Sequence, residues 1–383
     1  MVGARSSMPY LAGAAVLALL AAACSTPSSS SSSAPAAAAQ TGSATQAQGC
    51  PSSVSSQLAA AEAPVPLKIG PTLNASSLRG KKLWVIGIDN EQAVIADIQQ
   101  GIDAAAKAAG MQVTNFDAQG LANKAVEGVS EAVANHPAGI IIDAINTKDI
   151  GGPLAAAQKA GIPVVSDYEP AQTPGTVTAL VTDDASFTGR AQAALALSST
   201  NCHTSALFID SPIFSAQISA ADATKSMFSQ TCPQTCSTSA INYDPATLAT
   251  TVGPAVSNAV QRNPKINVVL AETDDVAVYA VPALQAMSSP VKLVGGGGEQ
   301  ANLQFISKGQ VQIGDVATPS NQFTGWITAD QIFRLLLHQP QSQYDVIPQR
   351  LITQQNVGDG SASSLFPAFN NFEQKFLTAW GLG

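Results

Sequence analysis

From Leu83 onward the chain alternates short, β-branched, almost wholly apolar runs with longer stretches of helical period, and few folds accommodate that order. "LWVIGID" (83 to 89), "MQVTNFD" (111 to 117), "GIIIDA" (139 to 144), "IPVVSD" (162 to 167) and "TVTALVTD" (176 to 183) predict strands. Between them, "EQAVIADIQQGIDAAAKAAG", "NKAVEGVSEAVANH" and "IGGPLAAAQKAG" place apolar residues three and four apart and end on Gly or near Pro, as helices do. Strands that are apolar along their whole length are buried on both faces, so the alternation predicts a parallel sheet with helices on either side, a doubly wound α/β unit.

The pattern then restarts. "SALFID" (205 to 210), "TSAINYD" (238 to 244), "INVVLAET" (266 to 273), "VKLVGG" (291 to 296) and "VQIGDVA" (311 to 317) predict a second set of strands, again separated by helical stretches. A chain of 383 residues exceeds what one hydrophobic core serves, and two serial α/β halves of similar size account for most of it. A helix over 322 to 338, a strand over 348 to 355 and a helical tail over 369 to 380 complete the pattern. Trp84 and Trp326 fall in apolar periods and read as core, while Trp380 docks the tail.

The first 24 residues define the compartment. Arg5, an apolar run from Leu11 to Ala23 and then Cys24 have the layout of a secretory signal, and the run is too short for a spanning helix. Ala21, Ala22 and Ala23 before Cys24 resemble a bacterial lipobox, which implies lipidation of Cys24. The following segment, 25 to 65, has no large apolar residue through Gly49 and predicts a flexible tether. Outside the cytoplasm the four remaining cysteines, Cys50, Cys202, Cys232 and Cys236, imply two disulfides with three possible pairings. Cys202 and the Cys232/Cys236 pair each precede a strand, so a bridge from Cys202 to one of them is expected. "CPQTC" is not read as a metal site, because His136, His203 and His338 are scattered.

Charge and motifs narrow the function. A net charge of -8 with only 11% charged residues leaves no basic stripe for nucleic acid. The chain carries no G-x-S-x-G, no G-x-x-x-x-G-K-[ST] and no H-E-x-x-H, so no enzyme class is indicated. "GGGG" (295 to 298) lacks the setting of a dinucleotide loop; it lets backbone approach a ligand or relieves crowding, and no cofactor is expected. In open parallel sheets ligands bind beyond the carboxyl ends of the strands. Those ends nominate Asp89, Asn90, Glu91, Gln92, Asp167 and Tyr168 in the first half, and Asp210, Tyr243, Asp244, Thr273, Asp274 and Glu299 in the second. "SDYEP" (166 to 170) and "ETDD" (272 to 275) weigh between ligand contact and helix capping.

These strands and helices, with "VSEAVANHPAGIIIDAINTKDIGGPLAAAQKAGIPVVSDYEP", "VTDDASFTGRAQA", "INVVLAETDDVAVYAVPALQA", "VKLVGGGGEQ" and "IPQRLITQQNV", resemble in order and spacing the type I periplasmic solute-binding proteins, specifically the ribose and galactose group that serves ABC transporters. The resemblance runs from about Pro66 to the end. It implies two lobes joined by three crossovers near Asp183, Thr318 and Thr353: 66–183 with 319–352 as the N-terminal lobe, 184–318 with 353–383 as the C-terminal lobe and tail. It places ligand contacts at Gln92, Val94 and Ile95, at Asp167 or Tyr168, and at Thr224, Tyr243, Thr273 and Gly297, with Glu169 and Pro170 beginning the exit turn. Thr224, Thr273 and Gly297 stand where sugar binders carry Arg, Asn and Asp, which opens the choice to a small polyol, a modified sugar, or a less polar or cationic solute. The implied function is a monomeric, lipid-anchored receptor that passes a small solute to a membrane permease, with a sensor of the same fold as the alternative.

Overall fold

The structure is a computed structural model and describes residues 49–169, 175–342, 344 and 346–383. The predicted signal with Cys24, the tether as far as Gln48, and Pro170 lie outside these residues.

The described chain opens with α1 (Ser52–Glu62). Strands β1 (Lys82–Gly87), β2 (Gln112–Asp117), β3 (Gly139–Asp143), β4 (Val164–Tyr168) and β5 (Ala179–Thr182) form a parallel sheet in the order β2-β1-β3-β4-β5. Helices α2 (Ala93–Ala108), α3 (Ala122–Ala134) and α4 (Gly151–Lys159) connect the first four strands. The period of two sorts the side chains: Leu83 and Val85 join one core, while Trp84 and Ile86 join the other with Val129 and Leu154 from α3 and α4.

After α5 (Ala185–Ser199) a second sheet begins, with β6 (Ser205–Asp210), β7 (Ser237–Asn242), β8 (Val268–Ala271), β9 (Lys292–Gly297), β10 (Gln312–Ala317) and β11 (Arg350–Thr353). Its order is β11-β10-β9-β8-β6-β7, and only β11 runs antiparallel. Helices α6 (Ser215–Thr231), α7 (Leu248–Arg262), α8 (Asp274–Ala286) and α9 (Gln300–Ser307) cover it. The chain then returns to the first lobe as α10 (Asn321–Leu336), which lies against α2 so closely that a Cβ on Gly101 would run into the Gln322 carbonyl and one on Gly325 into the Ile98 carbonyl.

The two-lobe α/β architecture matches the expectation, and the path between lobes corrects two details of it. Tyr344 sits in the first-lobe core and Ile347 N–H donates to the Thr182 carbonyl, so the third crossing falls between Ile347 and Arg350 rather than at Thr353. β11 belongs to the second sheet, where it supplies the antiparallel edge beside β10. The tail, expected on the second lobe, carries α11 (Ala362–Leu365) and α12 (Phe372–Ala379) back across to α10. Its aromatic residues explain the return: Trp380 stacks on Trp326 at 5.1 Å, and Phe369 and Phe372 meet Phe323 edge-on.

The amino-terminal segment is also corrected. Residues 52–62, read as tether, form a helix packed on α5 and β11, and Cys50 at its start is bonded to Cys202. Cys232 bonds Cys236 instead of Cys202. The expected meeting of loops does occur, since Thr235 Oγ1 donates to the Cys202 carbonyl at 2.7 Å. The sulfur that reaches Cys202 comes from the segment before the fold.

Candidate functional site between the lobes

Both sheets direct the carboxyl ends of their strands at one cavity, which leaves about 70 Å³ free between the lobes. The first lobe supplies the start of α2 (Gln92, Val94, Ile95), Ala144 after β3, Tyr168 at the end of β4 and Glu169 just beyond it. The second supplies Phe214 and Gln217 around the start of α6, Tyr243 after β7, Glu272 to Asp275 after β8, Gly296 and Gly297 at the end of β9, and Glu299 beyond it. Asp183, after β5, and Thr318, after β10, also line it.

The turn after β4 decides which residue reaches the cavity. Tyr168 adopts φ 62°, a left-handed conformation unusual for a side chain of this size, and Glu169 N–H donates to the Asp167 carbonyl across it. The chain thereby leaves the sheet with Tyr168 and Glu169 on the cavity wall. Asp167 stays beneath, fully buried at a position paired with Asp143 of β3. Burial pushes both carboxyls up, and for Asp143 the neighbouring Asp167 adds to it, because two adjacent carboxylates away from water cannot both ionise.

A second buried pair lies under the other sheet. Asp274 Oδ2 accepts from the Gly298 and Glu299 amides at 3.0 and 2.8 Å, which holds the loop after β9 in place. Its partner Asp315 accepts from Gln312 Nε2, and burial with the adjacent charge raises Asp274 well above the ordinary range. The glycine run is explained here by crowding: a Cβ on Gly295 would meet Gln312, Asp274 and Asp315, and one on Gly296 would strike the Glu272 carbonyl.

Across the cavity, Ser215 Oγ at the start of α6 donates to Glu169 Oε2 at 2.5 Å, a direct bond from one lobe to the other. Gln217 Nε2 donates to the Tyr243 hydroxyl at 2.8 Å while its Oε1 accepts from the Ser211 amide, fixing both side chains on the second-lobe wall. At the hinge, Gln349 bonds the Asp184 amide and the Thr188 hydroxyl.

The cavity is acidic. Glu169, Asp183, Glu272, Asp274, Asp275 and Glu299 line it, and no Lys, Arg or His does among the described residues. Burial pushes the Glu169 carboxyl up to about 7 against the opposing Ser215 hydroxyl, and raises Asp183 and Asp275 to about 6. Glu272 is driven well above the usual carboxylate range by burial and then by Asp183, Asp210 and Glu169. A carboxyl whose folded pKa is raised binds its proton more tightly folded than unfolded, so its contribution to stability is complete below about pH 4 and is lost as the pH rises through 6 to 7. The melting temperature of the ligand-free protein should therefore fall between pH 5 and pH 8. A flat or rising profile by circular dichroism would contradict this.

The geometry is that of a two-lobed binder, and sequence comparison gives it a family. Residues 83–340 match the family described as periplasmic binding protein domain. The chain belongs to the periplasmic binding protein family. The family is one of solute-binding proteins, and no curated protein is matched by sequence. Solved structures share the fold. An ABC transporter solute-binding protein from Agrobacterium vitis with bound allitol is 19% identical, with a TM-score of 0.67 over 74% of this chain and 98% of that one. A 5-methylthioribose transporter solute-binding protein from Thermotoga lettingae, in complex with 5-methylthioribose, is 16% identical, with a TM-score of 0.69 over 76% and 92%. A chain of the XylFII-LytSN complex is 14% identical, with a TM-score of 0.64 over 72% and 98%.

In this periplasmic binding protein the expected contact residues divide into two groups. Gln92, Val94, Ile95, Tyr168, Tyr243, Thr273, Asp274, Gly297 and Glu299 line the cavity. Asp89, Asn90, Glu91, Asp167, Asp210, Asp244 and Thr224 do not. Asp89 accepts from the Glu91 amide and the Gln92 side chain, and Asn90 accepts from Gln99, so these order the turn before α2. Asp244 caps the following turn through the Ala246 amide, and Thr224 donates to the Gly189 carbonyl where α6 meets α5. The cavity residues not nominated from the strand ends are chiefly Glu169, Glu272, Asp275 and Gln217; the first three stand in "SDYEP" and "ETDD", where the sequence leaves ligand contact and capping open.

Proposed function

We propose that the protein is an extracytoplasmic receptor that captures a small solute, a sugar, polyol or sugar derivative, in the interlobe cleft and delivers it to an ABC permease. The observation that carries this reading is the cavity lined from both lobes, with the Ser215–Glu169 bond joining them, since a solute held by both walls favours closure. A lipid anchor at Cys24 would keep a monomeric receptor near the membrane. Similarity to a chain of the XylFII-LytSN complex supports a second reading, in which occupancy is passed to a membrane-bound signalling partner.

A thermal-shift screen with sugars, polyols, amino acids and aromatic acids tests the reading, because a ligand that binds only the native state stabilises it by about 2.7 kcal/mol at 100 times Kd. Tyr168→Ala and Tyr243→Ala should each weaken the confirmed ligand by at least about tenfold, as expected for buried aromatic anchors. Retention of full affinity in both variants would remove the cleft from the account. Uptake lost on gene deletion supports transport; intact uptake with a lost transcriptional response supports sensing.

A further inference from the structure

The charge of the cleft narrows the solute beyond a sugar or polyol. We infer that the occupant carries a positive charge, an ammonium group on a small organic frame, held between Glu272 and Glu169. This rests on the receptor reading above.

Three observations carry the inference. First, six carboxylates line the cavity without a cationic side chain among the described residues to balance them, an excess of acid that a positively charged solute offsets and a neutral one does not. Second, the acids are left with unused acceptors. Glu169 is 1% exposed and its Oε1 has no hydrogen-bond partner, and the buried Oε2 of Glu272 has none either, so a ligand donor is wanted on both sides of the cleft. Third, the remaining wall suits an organic cation. Tyr168, Tyr243 and Phe214 bring aromatic rings to the wall and Val94, Leu248 and Ile347 offer apolar surface, residue types that bind ammonium groups through the ring quadrupole and cover their carbon frame. An inorganic cation fits poorly, since no three acidic, His or Cys side chains among the described residues converge as metal ligands.

The burial of Glu272 beside other carboxylates raises its proton affinity. Glu272→Gln, an isostere of the protonated acid, is therefore expected to fold normally.

Matched pairs of probes test the inference by thermal shift and calorimetry at constant ionic strength and pH 7.5: D-glucosamine with D-glucose, N-methyl-D-glucamine with D-sorbitol, and choline with 3,3-dimethylbutan-1-ol. These separate an amino sugar, an amino polyol and a quaternary ammonium as the source of the charge. At least one cation should bind at least about tenfold more tightly than its neutral partner, and Glu272→Gln should abolish that preference, the cation losing at least about tenfold more affinity than its neutral partner, the size expected for hydrogen bonds and contacts to a buried charge. If the neutral member of every pair binds as well as the cation, or if Glu272→Gln weakens both members equally, the inference is overturned and the receptor reading stands. If no probe and no compound of the wider screen binds, both are overturned.

Discussion

Asp330→Ala should destabilise the protein by about 3–5 kcal/mol, the usual consequence of removing one partner from a buried ion pair. Asp330 and Arg334 are each 1% exposed and lie one turn apart on α10, with Arg334 Nε donating to Asp330 Oδ2 at 2.8 Å. The second carboxylate oxygen accepts from Trp380 Nε1 at 2.7 Å, and Arg334 Nη2 donates to the Pro71 carbonyl at 3.0 Å. One carboxylate thus joins the central helix of the first lobe to the last helix of the chain, while its cation holds the segment that leads into β1. Truncation strands a guanidinium away from water and frees the indole. Replacing both residues, as Asp330→Leu with Arg334→Met, should be far milder or even stabilising, because the desolvation of both charges disappears together. Guanidinium unfolding of the two proteins separates the cases; equal losses would show that packing, not charge, dominates there.

Cys50→Ser should cost about 3–5 kcal/mol, and reduction should lower the melting temperature accordingly. The bridge to Cys202 spans 152 residues, and cross-links that close long loops restrict the unfolded chain most. It also clamps α1, a short helix with only Val54 and Ala61 buried, which has little else to hold it against α5 and β11. The Cys232–Cys236 bridge closes a loop of only 4 residues, so Cys232→Ser should cost less, about 2 kcal/mol by the same loop argument. An equal loss from the two variants would contradict the loop-length account. Proteolysis between Gly49 and Ala63 should become rapid in Cys50→Ser alone.

The two α/β lobes and most of their strands were legible because parallel strands buried on both faces write themselves as apolar runs. β4 is such a strand, and its polar end correctly marked a cavity wall. What the run did not show was its last turn. Tyr168 in a left-handed conformation brings Glu169 to the cleft and leaves Asp167 below, and nothing in "SDYEP" distinguishes that geometry from an extended strand end.

Other gaps have similar physical causes. α5 carries no amphipathic stripe, since the residues from Thr188 to Leu197 are buried nearly all round between the second sheet, α1 and α6, and a period-based reading passes over it. α1 is rich in Ser and Ala and resembles its disordered surroundings in composition; a disulfide and a groove order it, and neither has a local signature. β11 looks like any short strand, and only its antiparallel pairing with β10 reveals that the third crossing comes before it. Glu272 and Asp275 resemble helix caps because the same acids at a strand end serve either purpose. Their purpose is distinguished by the opposite lobe, whose Glu169 and Tyr168 stand some hundred residues earlier in the chain.

The central claim is that one small solute is held between the two lobes at the carboxyl ends of both sheets. The structure of the protein with a solute identified by the screen tests it most directly. The account predicts that the solute touches Tyr168 from the first lobe and Tyr243 and Glu272 from the second. A solute bound outside this cavity, or one contacting a single lobe only, would contradict it.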